Sequence, residues 1–205
     1  MSHVSEDTLR VLDALGIKEP VHVIGTSAGA NYALDLDQKA PGRIQSVTLL
    51  SGLPPIDAKG MEMNMPLAAR AAIKAVRVLP EFMQLAILKL MGVEVRKSRR
   101  NPEAGIQAYL RSMPPLDQAN MSQPEVFKNF VDVVRDWSRQ GTGHGPYGDL
   151  RRIATPGVID LSKISAPIHV IHGTSDSIVP LSAARAFEGA PNVKADYLSE
   201  RGHAL

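Results

Sequence analysis

The sequence predicts an α/β fold in which about four parallel strands form a sheet and a helical segment is inserted between two of them. Four short runs rich in Val, Ile and Leu have the length of buried strands, at residues 21–24, 44–50, 168–171 and 193–198. Good helix formers join the first run to the second, which is the spacing of a right-handed parallel crossover. No strand pattern occurs for about a hundred residues after the second run, where helical patterns replace it.

Residues 5–15 predict a helix that precedes the first strand. Ser5 is a candidate N-cap, and Gly16 is a candidate C-cap. The leucines between them recur at helical spacing and predict one apolar face, formed by Leu9, Leu12 and Leu15.

The segment between the second and third strands predicts four helices, three over residues 67–79, 82–91 and 102–113 and a fourth that starts at the Ser122 capping box and ends near residue 141. Gly92 is expected to end the second of them, and Asn101 is expected to cap the third. Ser122 to Glu125 has the pattern of a capping box for the fourth helix, and a Gly-rich loop is expected at residues 143–148. These patterns predict a core of residues 1–53 and 161–205 with an insertion at residues 54–160.

Composition excludes several classes of protein. The 205 residues are 44% apolar and 21% charged, with a net charge of +2, which is too small to indicate a nucleic-acid partner. The absence of cysteine excludes disulfides, thiolate metal sites and a cysteine nucleophile, and it is compatible with a cytoplasmic protein. No signal peptide and no membrane span are predicted.

The residues at the end of the first strand have the pattern of a nucleophile elbow. Gly25-Thr26-Ser27-Ala28-Gly29 stands between a strand and a helix, with Ser27 at the apex of the turn. We expect glycine to be required at positions 25 and 29, because a side chain at either position would make the strand and the helix collide in so tight a turn. A glycine-rich turn that only packs, or that binds a phosphate at the helix N-terminus, has the same local pattern.

An acid and a histidine follow the last two predicted strands. A serine hydroxyl needs a base to take its proton, and a histidine base needs an acid to fix its tautomer. Asp176 follows the third strand and His203 follows the fourth, so the chain order is Ser, Asp, His. Asp57 is an alternative acid, His172 is expected to support the loop that carries Asp176, and His144 is expected to be exposed.

With these motifs the chain resembles the α/β-hydrolase-fold enzymes that carry a helical cap. The resemblance rests on Gly-x-Ser-x-Gly, on the His-Gly…Asp…Val-Pro stretch from His172 and on the closing Gly-His. It implies Ser27 as nucleophile, Asp176 as acid and His203 as base, with the N–H of Ala28 as an oxyanion donor. It also implies that residues 54–160 form the cap over the site and that no metal or organic cofactor takes part.

The resemblance further implies a serine hydrolase that cleaves a carboxylic ester, or an amide, of a small molecule. Seven of the eight methionines lie between Met61 and Met121, which favours an adaptable apolar lid and hence an apolar substrate. A C–C bond hydrolase or an aminopeptidase with the same triad is an alternative.

The chain departs from the family pattern at its start. Only about 20 residues precede the elbow strand, where relatives have further strands and a loop with a second oxyanion donor. We therefore expect a truncated or partial member of the family with an exposed sheet edge. Two consequences are a homo-oligomer formed through that edge, and a catalytically impaired remnant that acts as a binding or interaction module.

Overall fold

A computed structural model describes residues 2–58, 71, 74–75, 77–111, 113–140 and 144–205. These residues divide into two compact units. One unit contains residues 2–58 and 155–203 and holds the sheet, and the other contains the described residues between 71 and 154 and is helical.

The first unit is built on a four-stranded parallel sheet. Its strands are β1 (Val21–Thr26), β2 (Ile44–Leu50), β3 (Ile168–Gly173) and β4 (Val193–Leu198), in the spatial order β1-β2-β3-β4. The predicted parallel sheet of four strands is therefore confirmed. Strands β2 and β4 have the predicted bounds, whereas β1 and β3 each continue for two residues beyond the predicted end.

Eight α-helices occur in the described part of the chain. In chain order they are α1 (Ser2–Ala14), α2 (Gly29–Lys39), α3 (Glu81–Arg100), α4 (Pro102–Leu110), α5 (Pro115–Met121), α6 (Pro124–Ser138), α7 (His144–Ile153) and α8 (Leu181–Ala184). Short 3₁₀ turns occur at Leu161–Lys163 and Arg185–Gly189. Helices α1, α2 and α8 belong to the sheet unit, and the others form the helical unit.

The apolar core of the sheet unit lies against one face of the sheet. Leu34 of α2, Val47 of β2, Val170 of β3 and Phe187 of the second 3₁₀ turn are all completely buried there. The alternate positions of the strands are half-buried or exposed, and Ile24 is 67% exposed. Among the described residues the core therefore covers one face of the sheet, because α2 and the 3₁₀ turn pack on the same face.

Helix α1 begins three residues before its predicted start, and this changes the role of Ser5. Ser5 does not cap the helix but lies inside it, where its buried hydroxyl donates a hydrogen bond to Asp35 of α2. Lys39 contacts the same carboxylate at 2.7 Å and balances its charge. The predicted apolar face is only partly right, since Leu9 packs against the core and Leu15 is 69% exposed.

Several helix ends in the helical unit differ from the prediction. Helix α3 continues through the buried Gly92 to Arg100, because a glycine inside a helix costs only about 1 kcal/mol. The Asn101 cap is confirmed, since its Oδ1 accepts from the N–H of Ala104 at 3.1 Å. The capping box at Ser122 is wrong, because Ser122 ends α5 and α6 begins without a side-chain cap. Most of the predicted helix at residues 67–79 lies outside the described residues.

The helical unit has a small apolar core of its own. Ile106 and Leu110 of α4 pack with Val131 of α6 and with Met113. Phe127, Phe130 and Val134 also lie on α6 and pack against the same cluster, so this helix presents an apolar face to it. The Gly-rich loop predicted at residues 143–148 is wrong where it is described, because helix α7 begins at His144. No helix in the described part of the chain is long and apolar enough to cross a membrane.

Asp37 joins α2 to the segment that leads into β3. Its completely buried carboxylate accepts from the N–H of Ser165 at 2.7 Å and from that of Ala166 at 3.2 Å. The Ser165 hydroxyl also contacts it, at 3.2 Å. Because these bonds connect residues about 130 positions apart, Asp37 fixes where the chain re-enters the sheet.

We predict that Asp37→Ala lowers the free energy of unfolding by about 1–3 kcal/mol, because it removes the acceptor of two N–H groups at a buried position. Asp37→Asn is the matched control and should lose less, since its amide oxygen still accepts one of the bonds. Urea unfolding measures both variants. A loss for Asp37→Ala below about 0.5 kcal/mol would show that the carboxylate does not hold this segment.

The turn between β1 and α2 has left-handed backbone geometry at its apex. Ser27 has a backbone φ of 52°, a value that residues other than glycine rarely adopt. At Gly25 a Cβ atom would stand 2.9 Å from the Cα of Ala30 and 2.9 Å from the carbonyl oxygen of Gly29. At Gly29 a Cβ atom would meet no atom within 4 Å. The expected steric need for glycine therefore holds at Gly25 but not at Gly29.

We predict opposite effects for alanine at these two glycines. Gly25→Ala should destabilise the protein by about 1–3 kcal/mol, because the new Cβ meets backbone atoms that cannot move aside. Gly29→Ala should leave stability unchanged or raise it by up to about 1 kcal/mol, because alanine is the better helix former. Thermal unfolding of the two variants tests this, and equal losses would contradict it.

Candidate active site

The hydrogen-bond ladder of the sheet continues for one residue beyond β1 and β2. The N–H of Ser27 donates to the carbonyl of Leu50 at 3.0 Å, and the N–H of Ser51 donates to the carbonyl of Ile171 at 2.9 Å. Because the strands are parallel, the residues that follow them gather at one edge of the sheet. Ser27, Ser51 and His172 therefore occupy neighbouring positions at that edge.

The Ser27 turn is held by the segment that follows β2. The N–H of Leu53 donates to the carbonyl of Ser27 at 2.9 Å, and the carbonyl of Leu53 accepts from Nδ2 of Asn31 at 2.8 Å. Asn31 lies in the first turn of α2 and is almost completely buried. Both polar backbone groups of Leu53 thus bind the elbow. The sequence analysis did not single out Asn31. The only signal for it in the sequence is an Asn two positions after Gly29, and its burial is seen only in the structure.

Asp176 and His203 are brought into direct contact. Nδ1 of His203 lies 2.8 Å from Oδ2 of Asp176, and the carboxylate is completely buried. The other oxygen, Oδ1, accepts from the N–H groups of Ile178 at 2.8 Å and Val179 at 2.9 Å. These two backbone bonds fix the carboxylate, so that Oδ2 faces the imidazole.

Gly173 makes this contact geometrically feasible. A Cβ atom at Gly173 would stand 2.2 Å from the carbonyl oxygen of Arg201 and 2.3 Å from that of Gly202. The segment that carries His203 therefore crosses directly over the end of β3, and no other residue type leaves room for it. The N–H of Ser175 donates to the carbonyl of Arg201 at 2.8 Å and holds the crossing in place.

His172 lies behind the acid and is completely buried. Its Nε2 is 2.8 Å from the carbonyl oxygen of Val179 and 3.4 Å from Oδ2 of Asp176. Burial lowers the pKa of His172 below its ordinary value of 6.5, although the Val179 bond and the charge of Asp176 act in the opposite direction. A charged His203 nearby lowers the pKa further.

Asp57 and three further histidines either contact groups other than Asp176 and His203 or are exposed. Asp57 is exposed and accepts a hydrogen bond from the N–H of Gly157, while His203 is bonded to Asp176. His22 is exposed on β1, where its Nδ1 contacts the hydroxyl of Ser46 at 2.7 Å. His169 contacts Asp196 at 2.6 Å, and this contact lowers the pKa of Asp196. His144 is exposed, as expected.

Two features of the site remain as predictions. We still only predict that the Ser27 hydroxyl reaches His203 and that the N–H of Ala28 is an oxyanion donor. The backbone hydrogen bonds of the described turn run from the N–H groups of Ser27, Ala30 and Asn31 and do not use that of Ala28. Across the described residues, no three His, Asp or Glu side chains are grouped so that they could hold a metal ion.

Two curated proteins are similar to this chain in sequence. The chain is 27% identical over 201 residues to 2-hydroxy-6-oxononadienedioate/2-hydroxy-6-oxononatrienedioate hydrolase 1 of Dechloromonas aromatica (strain RCB), covering 94% of this chain and 58% of the relative. It is 26% identical over 192 residues to the non-heme chloroperoxidase of Burkholderia pyrrocinia, covering 90% of this chain and 60% of the relative. The chain thus spans about three fifths of the length of these curated relatives.

A solved structure supports the same fold. The bromoperoxidase of Bacillus anthracis superposes with a TM-score of 0.63 at 18% sequence identity, over 98% of this chain and 66% of that one. At that identity the likeness shows the fold alone. The sequence model of the alpha/beta hydrolase fold matches residues 1–203, which is nearly the whole chain. By that match the chain belongs to the alpha/beta hydrolase family.

Proposed function

We propose that this chain carries the site of a serine hydrolase that cleaves a carboxylic ester or an amide. Ser27 is the nucleophile, His203 the base and Asp176 the acid. The observation that carries the proposal is the 2.8 Å contact between the buried Asp176 and Nδ1 of His203. This contact fixes the tautomer that leaves Nε2 of His203 to take a proton.

The reaction follows from these roles. The hydroxyl of Ser27 attacks the carbonyl carbon while its proton passes to Nε2 of His203, and the imidazolium then gives that proton to the leaving alcohol or amine. Water attacks the acyl-serine in the second half, with His203 again as the base. The carboxylic acid leaves and Ser27 regains its hydroxyl. No cofactor is needed for this sequence of steps.

The start of α2 is proposed to stabilise the developing oxyanion. The N–H of Ala28 lies at the N-terminal end of the helix, where the helix dipole favours negative charge. Left-handed geometry at Ser27 supports this role, because a strained turn is typical of a nucleophile elbow. Ala28 and Ser27 together would then hold the reacting carbonyl group.

We include the helical insertion in the proposal as a cap that selects a small apolar substrate. The assignment of residues 54–160 to the cap rests on the family resemblance and on the separate helical unit. Of the seven methionines that favour an apolar substrate, Met61, Met63 and Met65 lie outside the described residues. Met113 is buried in the helical core and Met83 is 39% exposed.

A second candidate function is favoured by one relative. The Dechloromonas aromatica relative is named for the hydrolysis of 2-hydroxy-6-oxononadienedioate. If this chain shared that activity, the same triad would cleave a carbon–carbon bond next to a ketone, and the substrate would carry two carboxylates. A panel that contains both p-nitrophenyl esters and such an oxo-diacid separates this candidate from an esterase.

We predict that a fluorophosphonate probe labels the wild-type protein and that Ser27→Ala abolishes labelling. Ester hydrolysis by this variant should fall by about 10⁴-fold or more, because the nucleophile is removed. Ser46→Ala, a serine within β2, is the matched control and should be labelled like the wild type. Folded wild-type protein that is not labelled would instead support the catalytically impaired binding module.

We also propose that a second copy of the chain pairs with the outer edge of β1. This strand stands at one end of the spatial order β1-β2-β3-β4, and among the described residues its outer edge has no neighbouring strand. Ile24 on this strand is 67% exposed. Such an edge with an apolar side chain is typical of a surface that pairs with another strand.

We therefore predict a concentration-dependent dimer that Ile24→Lys weakens. Light scattering during size-exclusion chromatography measures the mass of both proteins. Leu198→Lys on the opposite edge strand β4 is the matched control and should leave the dimer intact, since Leu198 is also exposed, at 38%. A wild-type monomer at every concentration would refute the pairing.

A further inference from the structure

The carboxylate of Asp176 faces two imidazoles rather than one. Its Oδ2 lies 2.8 Å from Nδ1 of His203 and 3.4 Å from Nε2 of His172. The side chains of both Asp176 and His172 are completely buried. One carboxylate balances only one positive charge at a buried position. Asp176 can therefore stabilise a positive charge on His203 only if His172 stays neutral.

The geometry around His172 determines where its proton lies. Its Nε2 is 2.8 Å from the carbonyl oxygen of Val179, and a carbonyl only accepts hydrogen bonds. Nε2 therefore carries the hydrogen, and Nδ1 of the neutral ring can only accept. The N–H of Val179 donates to Oδ1 of Asp176, so His172 and Asp176 hold the same residue by its two backbone groups.

Two buried polar atoms of the described residues have no hydrogen-bond partner among those residues, and they are adjacent in the sheet. One is Nδ1 of His172 and the other is the hydroxyl oxygen of Ser51. Leu50 pairs with Ile171, so Ser51 and His172 occupy the next step of the ladder. The two atoms are not hydrogen-bonded to each other, so Nδ1 of His172 has no donor among the described residues, in keeping with a neutral ring whose hydrogen is on Nε2.

We infer that His172 is a positioning residue for Asp176, uncharged and protonated on Nε2, with an Nδ1 that receives no hydrogen bond from the described residues. The inference rests on the proposed function, in which Asp176 orients His203. Burial lowers the pKa of His172, and the charged groups that face its ring are Asp176 and His203. While His172 stays neutral, the negative charge of Asp176 is balanced by no second buried cation and acts on His203.

A matched pair of variants at His172 tests the positioning role. In His172→Gln the side-chain amide reaches the Val179 carbonyl as Nε2 does, whereas in His172→Asn the amide extends only as far as Nδ1. We expect the labelling rate of Ser27 to stay within about threefold in the glutamine variant and to fall about tenfold or more in the asparagine variant. The acid limb of the pH–rate profile should shift to lower pH in the asparagine variant, because a misplaced Asp176 stabilises the His203 imidazolium less. Equal rates and equal profiles in both variants would overturn the role.

The proton position is tested on the wild-type protein by ¹⁵N NMR of its histidines. We expect His172 to give the signals of a neutral ring with its proton on Nε2 down to pH values below 6.5. A His172 that is protonated on Nδ1 or that titrates at 6.5 would overturn the inference. These spectra do not depend on catalysis, so failure of the hydrolase proposal is recognised separately, as absence of labelling in folded wild-type protein.

Discussion

The parallel hydrogen-bond ladder does more than hold the strands, because it extends past their ends into the candidate site. The bonds from Ser27 to Leu50 and from Ser51 to Ile171 carry the register of the sheet into the loops. Leu53 then binds back to the carbonyl of Ser27. The elbow is thus fixed by backbone groups on both sides, and this rigidity balances the left-handed strain at Ser27. The backbone position of Ser27 therefore does not depend on the contacts of its own side chain.

The close approach of the backbone at Gly173 to that of Arg201 also explains how Asp176 and His203 come into contact. The two loops that carry Asp176 and His203 follow neighbouring strands, but neighbouring loops diverge unless something draws them together. At Gly173 the chain before Asp176 passes so close to Arg201 that any side chain would collide with the carbonyl groups there. The missing Cβ and the bond from Ser175 to Arg201 therefore place His203 within reach of the carboxylate.

The sequence predicted the parts of this molecule that depend on local pattern. The four strands, the Asn101 cap and the contact between Asp176 and His203 follow from apolar periodicity, capping chemistry and the order of strand ends. Gly92 and Ser122 were misjudged because tertiary packing overrides local helix signals. Ser5 was misjudged for a similar reason, since a cap and a buried hydrogen-bond donor look the same in sequence. Ser51 carries no local signal, because its burial depends on the register of β2 against β3.

Charge is the last constraint on the site, and it links the two histidines. Oδ1 of Asp176 is occupied by two backbone N–H groups, so its remaining charge acts through Oδ2, where both imidazoles lie. If both rings were protonated, one carboxylate would face two buried cations, and the orientation of His203 would be lost. The fold avoids this by burying one ring completely while leaving the side chain of the other 12% exposed. Burial lowers the pKa of His172 and so favours the neutral form of the ring that lies behind Asp176.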